Sequence, residues 1–157
     1  MAIAITLQQY LDNSDIDYEL ISHPYTQSSN ETAQVGQISG EELAKAVLLE
    51  DAYGDYFLAV IPSTHWVDFR PLNKQLNTRL GLATESELNE VFRDCEPGAV
   101  PALAQAYGIP VIVDDSLTAH DDIYFEAGSH TDIVHMPGRE FDQLMAGSQH
   151  GRFSHHV

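Results

Sequence analysis

The chain has 157 residues, of which 43% are hydrophobic, 20% charged and 9% aromatic. This length and composition suit one domain with a sizeable core, and they exclude a disordered or collagen-like chain. The formal net charge of −17, from 24 acidic and 7 basic residues, repels phosphate. It therefore excludes non-specific DNA binding but leaves room for a specific RNA contact through a local patch.

The absence of several sequence motifs excludes further classes of protein. A single cysteine, Cys95, rules out an intramolecular disulfide and a cysteine-rich zinc module. HExxH, EF-hand, GxGxxG and Walker-type patterns are absent, so we expect no metal and no nucleotide cofactor. No apolar run has the length of a membrane span, and the start of the chain lacks the basic residues of a signal peptide. We therefore expect a cytoplasmic protein without membrane association.

The first quarter of the chain is predicted to contain two helices and a strand. Thr6 is suited to cap a short helix, and residues 18–22 have the composition of a strand. Ser28 and Glu31 have the spacing of a capping box, which predicts a second helix from about residue 29.

The rest of the chain mixes strand and helix patterns irregularly. Apolar runs at 43–50 and 56–61 flank a turn containing Gly54, which predicts a β-hairpin. The later predicted elements are helices over 71–80 and 85–92, strands over 110–113 and 123–127, and a helix over 137–147. This mixture favours an α/β fold whose mixed or antiparallel sheet has helices packed around it. Residues 1–147 are predicted to form the domain, and the polar, His-rich residues 148–157 a loosely ordered tail.

Lys45 is one of only two lysines, and it lies inside an apolar segment. In a strand it would share one face with Leu43, Val47 and Leu49. Such a lysine either extends its ammonium group to water at a sheet edge or stands at the wall of a pocket. In the second case it would bind an anionic or carbonyl-bearing ligand.

Small residues follow the predicted strand at 123–127. Gly128 and Ser129 allow a ligand or another backbone to approach closely, and His130 would then stand at the mouth of the strand. This histidine is either a satisfied structural group or a neutral imidazole that orients water or holds a substrate amine. Cys95 lies between two acids, which disfavour the thiolate, so we do not expect a cysteine nucleophile.

One segment, here called the basic window, is positively charged although the chain as a whole is strongly negative. Residues 69–84 contain no acid and three basic residues, namely Arg70, Lys74 and Arg79. These either pair with acids elsewhere in the fold or form a local positive patch that contacts phosphate.

Seven short motifs stand in order between about residues 5 and 146. They are His23-Pro24, Thr32-Ala33, Ala44 to Leu49, Ala59 to Pro62, Asp94 to Pro101, Asp114 to Leu117 and Tyr124 to His130. Each motif is short, but the ordered set resembles the YbaK and prolyl-tRNA editing-domain family of aminoacyl-tRNA deacylases.

The resemblance implies a compact α/β domain with a mixed, partly closed sheet surrounded by helices. It also implies hydrolysis of the ester between a wrong amino acid and the 3′ end of a tRNA, with no metal, cofactor or enzyme nucleophile. Lys45 and His130 would be the catalytic residues. The substrate would be bound by the Gly-x-x-Pro loop and the Gly-x-His turn, which comprise Gly98, Ala99, Val100, Pro101, Gly128 and Ser129.

The sequence departs from the family pattern at three positions. Ala102 replaces a second proline after the Gly-x-x-Pro loop, and Ala104 stands where a glycine commonly follows. Ala46 follows the lysine where an alanine-directed branch of the family tends to have asparagine.

Three functions fit these observations. The first is a trans-acting deacylase of mischarged tRNA, with Arg70, Lys74 and Arg79 as the tRNA-binding patch. The second is a non-catalytic ligand-binding or regulatory relative that keeps the fold and the pocket. The third is a hydrolase of small acyl esters, which suits the acidity but leaves the basic window unexplained.

Overall fold

The computed structural model describes residues 3–26, 32–34 and 37–157. The strands are β1 (Glu19–Ser22), β2 (Leu43–Asp51), β3 (Tyr56–Pro62), β4 (His65–Val67), β5 (Leu80–Leu82), β6 (Val111–Asp114), β7 (Asp122–Glu126), β8 (Asp132–Pro137), β9 (Gln149–Gly151) and β10 (Ser154–His156). The helices are α1 (Ile5–Asn13), α2 (Phe69–Leu76), α3 (Glu85–Val91) and α4 (Gly138–Leu144), with short 3₁₀ helices at Ala104–Tyr107 and Asp115–Leu117. Residues 32–34 are also helical. The predicted capping box at Ser28 and Glu31 lies outside the described residues.

A mixed sheet organises the fold. Its strands lie in the order β1-β8-β7-β2-β3-β6-β9, and β5 also pairs with β2. β2 and β3 form the predicted antiparallel hairpin, whose turn contains Gly54 at a φ of 85°, a conformation that favours glycine. β2 runs parallel to β7, β3 to β6, and β6 to β9. The predicted mixed α/β sheet is therefore confirmed.

Two apolar cores lie on opposite faces of this sheet, because successive strand residues point to opposite sides. The larger core includes Ala44, Leu48 and Phe125 and is covered by residues of α1 and α4. The second core includes Leu49 and Ile61 and is covered by residues of α2 and by Phe153. Lys45 lies in β2 on the face of the second core.

The C-terminal segment is ordered, so the prediction of a loosely ordered tail is wrong. β9 extends the main sheet beside β6, and β10 pairs with β4. Phe153, between these two strands, is buried, and its amide donates a hydrogen bond to Asp114 Oδ1 at 2.9 Å. One buried aromatic residue and backbone pairing hold a segment whose polar composition gave no sign of order.

Some predicted helix boundaries are also wrong. α1 begins at Ile5, and the amide of Thr6, inside the helix, donates to Asp94 Oδ2 at 2.8 Å. The helix predicted over 71–80 instead spans Phe69–Leu76, because Asn77 takes a left-handed φ of 53° and ends it. By contrast, the capping box predicted at Thr84 and Glu87 is present at the start of α3.

Candidate active site

Lys45 occupies the first half of β2, on the strand face that the sequence predicts. Leu43 and Leu49 on this face are buried, whereas the Lys45 side chain is exposed. All ion pairs among the described residues involve histidine, and none involves Lys45. In a chain with a net charge of −17, this ammonium group has no carboxylate partner among the described residues and is available to a ligand.

A groove of about 260 Å³ lies against Lys45. The other residues that line it are mostly apolar, namely Val47, Ile61, His65, Trp66, Val67, Phe69 and Leu82. Trp66 and Leu82 are 63% and 69% exposed. The Lys45 side chain therefore lies beside an apolar surface that is open to solvent. This arrangement supports the alternative in which Lys45 stands at the wall of a pocket.

One edge of β2 is partly uncovered beside Lys45. β7 pairs with Leu43 and Ala44, β5 pairs with residues 49–51, and the Ala83 amide donates to the Leu48 carbonyl oxygen at 3.0 Å, so no strand pairs with residues 45–47 along this edge in the described part of the chain. A second groove, of about 430 Å³, follows this stretch and is also lined by Thr84 and Leu88. The interruption leaves space for a ligand next to the backbone of the sheet.

His130 lies in the turn between β7 and β8. It is buried, and its Nε2 donates a hydrogen bond to the carbonyl oxygen of Pro97 at 2.5 Å. This bond leaves Nδ1 as the ring nitrogen that can accept a hydrogen bond. Gly128 has a φ of 104°, and a Cβ there would stand 2.7 Å from the Cβ of Ala4. Both features require glycine at this position.

The turn at 128–130 contacts the loop that contains Gly98. The amide of Glu96 donates to the carbonyl oxygen of Gly128 at 2.7 Å, in addition to the bond between His130 and Pro97. Gly98 is exposed with a φ of 84°, whereas Ala99, Val100 and Pro101 are buried. The Ala99 amide already donates to the Glu96 carbonyl oxygen at 3.0 Å. It is therefore not available to bind a substrate carbonyl.

Gly128 and Ser129 line a smaller cavity, of about 170 Å³, with Ala4, Asp94 and Glu96 among its other residues. None of its residues lines the grooves at Lys45 described above. The turn at 128–130 therefore lies against the loop through residues 96 and 97. Neither of these two segments lines the grooves at Lys45.

The alanines at 102 and 104, which depart from the family pattern, are buried in the larger core. Neither presents a side chain to solvent. These departures therefore change the packing beneath the loop rather than its exposed surface.

Sequence reasoning missed Glu126, the last residue of β7. Only 6% of this residue is exposed, and its Oε1 accepts a hydrogen bond from Thr32 Oγ1 at 3.2 Å. Burial raises the pKa of the carboxyl to about 7, and the Thr32 bond offsets only part of this rise. An acid inside the apolar strand segment 123–127 is the sequence signal that could have identified it.

Cys95 is unsuited to be a nucleophile, as the sequence predicts. Burial raises the pKa of its thiol to about 12, and the hydrogen bond with Tyr107 offsets this only in part. The thiolate is therefore scarce at neutral pH.

The basic window, residues 69–84, contains α2 and begins beside the groove at Lys45. Arg70, Lys74 and Arg79 are exposed, and none of them forms an ion pair with any described residue. Arg70 directly follows Phe69, which lines the groove. Among the described residues, these three side chains are therefore not paired with acids.

Neither a metal centre nor a membrane span is found among the described residues. No group of three or more His, Cys, Asp or Glu side chains there is arranged to hold a metal ion. None of the helices in those ranges combines the length and apolar character needed to cross a bilayer.

The fold and the groove at Lys45 define an α/β domain built on one large mixed sheet, with a ligand-sized opening beside β2. The chain belongs to the aminoacyl-tRNA editing domain family, whose model matches residues 23–144. The sequence-based assignment to this family is therefore confirmed, and the family implies a tRNA substrate. No curated protein matches the chain in sequence.

Solved structures share this fold. A hypothetical protein matches with a TM-score of 0.85 at 20% identity, over 96% of this chain and 99% of the other. A proposed trans-editing enzyme for prolyl-tRNA synthetase matches with a TM-score of 0.83 at 18% identity, over 97% of this chain and 96% of the other. A protein from Marinobacter aquaeolei, described as a proposed signal transduction protein, matches with a TM-score of 0.77 at 26% identity. That match covers 96% of this chain but only 30% of the other.

Proposed function

We propose that this protein is a trans-acting aminoacyl-tRNA deacylase that hydrolyses the ester bond of mischarged tRNA in the cytoplasm. The observation that carries the proposal is Lys45, an exposed ammonium group beside an apolar groove, with no carboxylate partner among the described residues of a strongly acidic chain. Membership of the editing-domain family supports it. So does the fold shared with a proposed trans-editing enzyme.

The chemistry requires a donor for the ester carbonyl and a positioned water, but no enzyme nucleophile. As negative charge develops on the carbonyl oxygen during attack, a fixed cation or N–H donor stabilises it. Lys45 would supply such a donor, either to this oxygen or to the terminal phosphate. His130 would hold the substrate amine or a water through Nδ1, because its Nε2 is occupied by Pro97.

The basic residues of this segment, Arg70, Lys74 and Arg79, would attract the tRNA phosphates locally, whereas the net charge of the chain repels them. Its side chains are exposed, and α2 adjoins the groove at Phe69. A tRNA whose 3′ end reaches Lys45 would therefore pass close to Arg70, at the start of the same helix. The contacts would be to phosphates and would carry little sequence information.

A panel of mischarged tRNAs, assayed at low salt, tests the proposal. We expect the protein to release the amino acid from at least one of them faster than the spontaneous rate. If no member of the panel is hydrolysed but one binds, the protein is the non-catalytic relative. If a small aminoacyl ester is hydrolysed and no tRNA is, it is the small-ester hydrolase.

The tRNA patch is tested by neutralising Arg70, Lys74 and Arg79 together. The matched control neutralises Arg93, Arg139 and Arg152, the three other exposed arginines, and changes the net charge by the same amount. We expect the first triple variant to raise the KM for mischarged tRNA and to lower the salt slope by about one for each phosphate that is no longer neutralised. Hydrolysis of a short aminoacyl-ester mimic should not change. Equal effects of the two triple variants would show that only total charge matters.

A further inference from the structure

Glu126 is a buried acid whose burial the fold itself does not explain. Its Oε2 is buried and has no hydrogen-bond partner among the described residues, and no ion pair there includes it. Leaving a polar atom in this state is costly, and such atoms in native proteins frequently have a functional role.

The sheet places Glu126 beside Lys45. β2 and β7 are parallel, and their last paired residues are Ala44 and Phe125. Lys45 and Glu126 each come one residue later, so both side chains lie on the opposite face from that pair. The two residues stand at neighbouring positions where β2 becomes uncovered, yet they form no ion pair. The register therefore places the two residues at adjacent positions on one face of the sheet, although Glu126 does not line the grooves at Lys45.

A chain of hydrogen bonds fixes the Glu126 carboxyl. Thr32 Oγ1 donates to Glu126 Oε1 at 3.2 Å and contacts Thr26 Oγ1 at 2.7 Å. The Thr26 amide donates to the carbonyl oxygen of His130 at 3.2 Å. The acid is thus connected to the turn that carries His130. Its second oxygen is left as an acceptor.

We propose that Glu126 is the general base that activates the water attacking the ester, an inference that rests on the proposed deacylase function. In this step the Glu126 carboxylate takes a proton from water while the water oxygen bonds to the ester carbonyl carbon. The tetrahedral intermediate then collapses, and the bond to the ribose oxygen breaks. The protonated Glu126 returns its proton to that oxygen. The products are the free amino acid and the uncharged tRNA, and no further reactant is needed.

The ionisation of Glu126 suits this role. Burial raises its pKa to about 7, and a base is most effective when its pKa lies near the working pH. The titratable groups on the adjoining elements are Lys45, Glu50 and Asp51 on β2, Asp122 and Tyr124 on β7, Asp132 and His135 on β8, and His23 and His130 on the flanking segments. None of them forms a hydrogen bond with the carboxyl group.

The test compares Glu126→Gln and Thr32→Val with the wild type on a mischarged tRNA that the wild type hydrolyses. Glutamine keeps the shape and the acceptor for Thr32 but cannot take a proton. We expect kcat to fall by about 100-fold or more, with KM unchanged. In the wild type, kcat should rise with pH to a plateau above about 7, and Glu126→Gln should lose this rise. Thr32→Val removes a hydrogen bond that lowers the pKa of Glu126, so its rise should move to higher pH.

Three results would overturn the proposal. A Glu126→Gln variant with wild-type kcat, or with a raised KM alone, would make the residue structural or substrate-binding. A pH rise that persists in this variant would assign the titration to a group other than Glu126. A wild type that hydrolyses no tRNA would refute the deacylase function itself, and the general base with it. Urea unfolding of both variants separates loss of chemistry from loss of fold.

Discussion

Replacing Glu126 by glutamine is expected to make the protein more stable at alkaline pH. The pKa of this carboxyl rises from its ordinary 4.5 to about 7 in the folded chain because burial penalises the charged form. Between these values the native state holds a proton that the unfolded chain has released, so stability falls as pH rises from 4.5 to about 7 and then levels off. At about 1.4 kcal/mol for each pH unit, the wild type loses about 3 kcal/mol across this window. Glutamine does not titrate and avoids the loss.

Urea unfolding of both proteins at about pH 4 and about pH 8 measures this difference. The stability of Glu126→Gln relative to the wild type should increase by about 3 kcal/mol between the two conditions. Glu87→Gln is the matched control. The Thr84 backbone and the Tyr56 hydroxyl lower the pKa of Glu87 to about 2, so its contribution is lost only below pH 4.5 and its effect should be nearly constant over this window. A relative stability of Glu126→Gln that does not change with pH would refute the reasoning.

Two further predictions follow from the geometry of the site. Gly128→Ala should destabilise the fold by about 1–3 kcal/mol, because its Cβ would meet Ala4. Gly54→Ala, at a similar positive φ but with open space around it, should cost less in the same thermal unfolding experiment. Cys95 should react slowly with iodoacetamide at neutral pH, because burial raises the pKa of its thiol to about 12. Rapid alkylation of the folded protein would contradict this.

The fold could largely be predicted because local patterns carry its central elements. The hairpin of β2 and β3, the capping box of α3, and strands β6 and β7 all follow from apolar runs and turn residues. The short strands β4, β5, β9 and β10 could not be predicted from local patterns. Each has three residues, and their pairing depends on partners that are distant in the sequence. β8 was missed although Ile133, Val134 and Met136 are buried, because polar residues interrupt its apolar pattern.

The candidate site could be predicted only in part. The face of β2 that carries Lys45 follows from strand alternation, and the turn requiring Gly128 follows from its small residues. Glu126 could not be assigned because its neighbour Lys45 is about eighty residues away in the sequence, and only the parallel register of β2 and β7 brings the two together. The groove likewise depends on Trp66 and Leu82, which belong to strands that the sequence did not predict.

The most direct test of the account is the rate of deacylation of a mischarged tRNA by the wild type and by Lys45→Ala, measured with enzyme in excess. Because Lys45 is exposed and has no ion-pair partner among the described residues, the substitution should change the free energy of unfolding by less than about 0.5 kcal/mol. We expect the rate of Lys45→Ala to be lower by about 100-fold or more, the usual cost of losing one stabilising donor at a developing oxyanion. Equal rates for the two proteins would contradict the account.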